Sequence, residues 1–151
     1  MTTRKGFTIL ELLIVIMVIS ILIGIALPRF RGIQQEAQIA QAKGELRTLQ
    51  TAIESYYIHN SNAYPATGSA ALETALAAAT PSILTTVPTD PFNPGNDYVY
   101  VNGGTNNRFY IVYSVGVGGN GSAAISASNT VTETNGSSCI YASNMSQDAQ
   151  P

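Results

Sequence analysis

From Phe7 to Leu27 the chain is apolar on every side of any helix it could form, with Glu11 as its one charge. Built as a helix, that stretch rises roughly 31 Å at ~1.5 Å per residue, about one hydrocarbon thickness. From Arg29 to about His59 the pattern changes. Ile39, Ala42, Leu46, Leu49, Ile53 and Tyr56 recur at spacings of three and four, which predicts a helix with one buried stripe. Together the two halves read as one long helix, the second half pinned to a globular head. Glu36, Glu45 and Glu54 lie nine residues apart and read as part of a solvated face. Asn60 to Pro65 is a turn cluster that stops the helix.

Ala70 to Ala79 predicts a short second helix, ended by Thr80-Pro81, and Val87 to Gly95 a proline-punctuated loop. Tyr98 to Asn102 and Arg108 to Val115 have strand character and are joined by Gly103 to Asn107 as a hairpin. Weaker strands are expected near Ala123 to Ala127 and Thr130 to Thr132, and the last dozen residues are expected to fray. The fold class is therefore α+β: a long N-terminal helix, hydrophobic in its first half, against a small antiparallel sheet of three to four strands.

Composition removes several function classes. With 151 residues the chain has room for one ordinary domain, and 45% hydrophobic against 11% charged residues excludes a highly charged disordered chain. Net charge is −2, and Arg108 is the one basic residue after Arg47, so the clustered cations of a nucleic-acid binder are missing. Cys139 is the single cysteine and His59 the single histidine. They provide neither an internal disulfide nor the partners of a histidine metal site or an ordinary Ser/His/Asp triad. The tyrosines fall at helical and strand spacing, as packing residues do. Gly116 to Gly121 has no following lysine or helix and is no phosphate loop. Asn135 sits in Glu133-Thr134-Asn135-Gly136-Ser137, a glycosylation candidate in an Asn/Ser-rich tail where chance matches are expected.

The basic start (Arg4, Lys5) before the apolar run has three readings: a secretory signal cut after Ala26, a permanent anchor, or an anchor cut on its cytoplasmic side. Glu11 separates them. A carboxylate inside an apolar core costs about 2.5 kcal/mol or more on insertion scales. A simple signal or anchor gains nothing from it, whereas a subunit that later pairs it with a cation on a neighbouring chain does. Gly24, Pro28 and Gly32 punctuate the same helix at four-residue steps, and Pro28 should kink or locally melt it.

Lys5-Gly6-Phe7-Thr8-Ile9-Leu10-Glu11 before an unbroken apolar stretch resembles the class III signal of type IV pilins and pseudopilins. The resemblance implies a leader, residues 1–6, cut between Gly6 and Phe7 by a prepilin peptidase that also N-methylates Phe7. It further implies an assembly helix over 7–28, an amphipathic half over 29–59 and a pilin-like head over 60–151. Glu11 would neutralise the terminal amine of Phe7 on a neighbouring subunit, and Gly24 with Pro28 would mark a stretch that unwinds on assembly.

In the head, Tyr64-Pro65, Val87 to Phe92, Tyr98-Val99-Tyr100 and Tyr110 to Gly116 follow an order similar to the major, G-type pseudopilin of type II secretion. That likeness implies a structural subunit and not an enzyme. Its partners would be copies of itself in a helical filament, an inner-membrane assembly platform and minor pilins or pseudopilins. Before assembly it would cross the inner membrane once with its head in the periplasm, and afterwards stand in a periplasmic or extracellular filament. The major pseudopilin carries acidic calcium ligands after its last conserved strand. Here that stretch, Gly116 to Ser122, has no acid, which leaves Asp90 and Asp97 as weak calcium candidates. A surface type IV pilin remains the alternative, and a secreted enzyme or binding domain with an ordinary signal a more distant one.

Overall fold

The computed structural model describes residues 6–134 and 139–145. The chain divides into two compact units, residues 1–37 and residues 38–151. Helix α1 spans Ile9–His59.

In the first unit the large apolar side chains from Phe7 to Ile33 are exposed: Phe7 is 81% and Ile25 60% accessible. The expected kink at Pro28 does not interrupt the helix, whose assignment runs through it unbroken. Proline removes one backbone donor and presses its ring toward the carbonyl four residues back. That residue is Gly24, and the helix continues with one bond fewer.

In the second unit α1 buries Ala42, Leu46, Leu49, Ala52 and Ile53, the stripe the periodicity predicts. After positive-φ turn residues Ser61 and Asn62, helix α2, Ser69–Ala78, buries Leu72 and Leu76. Each such leucine contributes about 1.5–3 kcal/mol through removal from water. Strands β1 (Val99–Gly103) and β2 (Phe109–Ser114) form the expected hairpin, with a short 3-10 turn at Thr105–Asn107 between them. β3 (Ser122–Ile125) pairs with β4 (Val131–Thr134), and β5 (Ile140–Ser143) pairs with β2.

The described strands therefore number five rather than three to four, in a three-stranded antiparallel sheet ordered β1-β2-β5 and a separate two-stranded one. The fraying expected of the last dozen residues is corrected at Ile140–Ser143: Ile111 pairs with Ser143 and Tyr113 with Tyr141. β2 is central and buried on both faces. Tyr110 and Val112 join the core beneath the helices, while Ile111 and Tyr113 pack with Ala123, Cys139 and Tyr141 on the other side.

Candidate assembly site on the N-terminal helix

The sequence-predicted processing and assembly residues Gly6, Phe7, Glu11, Gly24 and Pro28 all fall in the first unit. Thr8 sits just before the first turn of α1, and Glu11 three residues on. The Thr8 amide and hydroxyl both donate to Glu11 Oε2 at 2.9 Å, and the Glu11 amide donates back to Thr8 Oγ1 at 3.2 Å. This reciprocal arrangement is a capping box, which satisfies donors that the first helical turn leaves without partners. The other carboxylate oxygen, Oε1, accepts no hydrogen bond among the described residues. Phe7 and Glu11 are both exposed. Thr8 was legible in principle, since Thr8-Ile9-Leu10-Glu11 is the S/T-x-x-E signature of a helix start. Among the described residues, nothing beyond its own neighbours in the helix lies within 4 Å of a Cβ built on Gly24.

The head has its own carboxylates, and two of them correct the solvated-face reading. Glu45 accepts from the Tyr98 hydroxyl at 2.6 Å, and Glu54 accepts from Tyr110 at 2.9 Å and from Tyr64 at 3.2 Å. Asn144 extends the second group by donating to Tyr64 Oη and Arg108 O and accepting from the Tyr110 amide. Burial, reinforced by the Glu54 charge, pushes the Tyr64 phenol up to about 12; burial also raises the Tyr98 phenol, reinforced by Glu45, and the Tyr110 phenol, reinforced by Glu54. These pairs hold α1 to the sheet. They are protonated donors facing acceptors, without a nucleophile or a proton path.

Asp90 is 2% accessible and its carboxylate is already taken up. Oδ1 accepts from Ser114 Oγ at 2.7 Å and from the Phe92 amide at 2.9 Å, while Oδ2 accepts from the Val115 amide at 2.9 Å. Asp97 pairs through its backbone with Thr89. Calcium wants about six to eight oxygens, with carboxylates among them. A buried carboxylate committed to three protein donors does not fit that role, and no group of three or more His, Cys, Asp or Glu placed to hold a metal occurs among the described residues. Cys139 is buried, which pushes its thiol up to about 11. The glycosylation candidate Asn135 lies outside the described residues.

A long helix apolar enough to cross a membrane, starting with a capped carboxylate and followed by a small α+β head, defines the pilin-like class of filament subunit. Comparison with known proteins supports that class at both ends of the chain. The prokaryotic N-terminal methylation motif matches residues 1–27, and the type II secretion system protein G family matches residues 29–131. The chain belongs to the type II secretion system protein G family. It is 30% identical to the type II secretion system core protein G of Escherichia coli K12 over 116 residues, 70% of this chain and 77% of that protein. The protein of the same name from Pseudomonas aeruginosa is 29% identical over 126 residues, covering 77% and 85%. A fimbrial protein of Eikenella corrodens is 46% identical over 59 residues, 39% of this chain and 37% of its own. No solved structure matches the chain significantly.

Proposed function

We propose that this chain is the major pseudopilin of a type II secretion system: a structural subunit, not an enzyme, that polymerises through α1. On this reading a prepilin peptidase cuts between Gly6 and Phe7 and methylates the Phe7 amine. The mature subunit waits in the inner membrane with its head in the periplasm. An assembly platform and minor pseudopilins then help it into a filament in which Glu11 meets the Phe7 amine of a neighbour. The family match over residues 29–131 carries this reading, because it reaches past the helix and covers most of the head. The fimbrial relatives align over only 55–59 residues, 36–39% of this chain, and so support a surface pilus less than the protein G relatives, which align over 70–77% of it, support a pseudopilin. The open Oε1 of Glu11 supports the pairing, since a buried charge without a partner is heavily penalised and a paired one sets register. Family peptidases tolerate little bulk before the cut. Gly6→Val should therefore leave the leader attached and abolish filaments, with N-methyl-Phe7 found at the terminus of the unaltered protein by mass spectrometry. A mature-sized Gly6→Val band, or a terminus at Leu27, would overturn the assignment.

A further inference from the structure

A cleft of about 560 Å³ opens on the head, and none of its lining residues is one assigned to processing or assembly. Its volume falls in the range of small-ligand sites, roughly 300–1,000 Å³. The aromatic side is built by Tyr57 and Tyr64, whose rings stack at 4.4 Å between centroids, with Phe109 beside them. The polar side is the 104–108 turn. Arg108 is exposed there, and its guanidinium makes no hydrogen bond or ion pair among the described residues; nor do the Asn106 amide and the Tyr57 hydroxyl bond any of them. Arg108 is also the only cation between Arg47 and the end of the chain.

The polar wall is set in place. Asn129, from the β3–β4 turn, accepts from the Thr105 amide at 3.0 Å and donates to its hydroxyl at 3.2 Å. Gly104, at φ +72°, lies so close that a Cβ would stand 2.7 Å from Asn129 Oδ1 and from Phe109, so only glycine fits. Asn106 and Asn107 also hold positive φ. Glu54, the carboxylate that Tyr64 bonds, is taken up by Tyr64 and Tyr110.

We propose that this cleft binds an acidic saccharide, with a sugar ring laid against Tyr57, which Tyr64 backs on its other face, and its carboxylate held by Arg108. A guanidinium grips a carboxylate through two parallel N–H donors, and asparagine amides suit ring hydroxyls, which both donate and accept. An extended peptide would instead seek an open strand edge for its backbone. The cleft offers it rings and a turn. Nothing in this site depends on the filament reading, since none of its residues lies in the first unit.

The test is a titration of the full-length subunit in detergent micelles with trigalacturonate, read by NMR at Tyr57, Asn106 and Arg108. Cellotriose, triglutamate and acetate serve as controls. Trigalacturonate should bind in the millimolar range or tighter and shift those residues, with each control at least about tenfold weaker. Arg108→Ala should lose about tenfold, and Arg108→Lys less, with melting and filament yield unchanged. Absence of shifts at those residues overturns the proposal. Equal binding of cellotriose removes the carboxylate from it, and equal binding of triglutamate or acetate removes the sugar ring; either result also overturns it.

Discussion

The two parts of α1 solve the hydrophobic problem in opposite ways. Between Phe7 and Ile33 apolar side chains point in all directions and stay exposed. Between Ala42 and Ile53 they occupy one stripe and are buried by the chain's own head. Polar groups differ in the same sense. Glu11 is satisfied by a residue three positions away, whereas Glu45 and Glu54 take hydroxyls from tyrosines 53 and 56 positions away. Periodicity thus reports where a helix finds its partners. A stripe means they are in the same chain, and an apolar surface without a stripe means they lie outside it.

That contrast can be broken from either end. The largest effect is expected at Glu11. Removing one member of a buried pair costs about 3–5 kcal/mol, so Glu11→Leu or Glu11→Gln should cut filament yield by at least about tenfold. The subunit should still be made, cleaved and inserted, and the head should melt as before. Abundant regular filaments from either variant, seen by electron microscopy, would return Glu11 to a purely local capping role.

Leu49→Ala attacks the other side. Leu49 is fully buried in the head, and the cavity should lower unfolding stability by about 2–5 kcal/mol while membrane insertion is untouched. Urea unfolding of the detergent-solubilised subunit measures the first and carbonate extraction of membranes the second. Loss of insertion as well would mean that the two parts do not fold independently.

Asp90→Ala is a smaller perturbation of the head. It strands the Ser114 hydroxyl and the Phe92 and Val115 amides, and about 1–3 kcal/mol should be lost. The same urea unfolding curve, recorded with and without added calcium, reads this out, with the same loss expected in both.

The smallest effect is alkaline. Burial raises Cys139 from 9.0 to about 11 and Tyr64 from 10.0 to about 12. Both groups hold their protons more tightly in the folded head. Their contribution is complete below pH 9 and is lost as pH rises through 9–11 for Cys139 and 10–12 for Tyr64. Melting temperatures recorded across that span should fall, and Cys139→Ala should remove the earlier part of the decline.

Much of this architecture is legible along the chain. The stripe on α1, the stop at Asn60 to Pro65, α2 and the β1–β2 hairpin are carried by local periodicity and turn residues. β5 is not: Ile140 and Tyr141 favour a strand, but Ala142 and Ser143 do not, and a run of four in a Ser/Asn-rich setting is too short to mark one; β2 supplies the pairing. Glu45 and Glu54 mislead for a related reason. Their own helix says solvent, and the tyrosines that bond them come from elsewhere: Tyr98 just before β1, Tyr110 on β2 and Tyr64 on the segment after α1. At the assembly site Glu11 stands out as the one charge in an apolar run. Thr8 escaped notice, although the four-residue signature of a cap is present.

β5 stands beside β2 in space but is made after the other four described strands. A chain synthesised from its N-terminus holds β2 with one edge unpaired until residues 140–143 have emerged, and an open edge is a template for any strand nearby. Nascent heads crowded together therefore have an interval in which β5 of one can close the sheet of another. The C-terminal strand is the clasp of the head. A tag fused after it is tolerable only if its linker lets Ile140–Ser143 snap shut first.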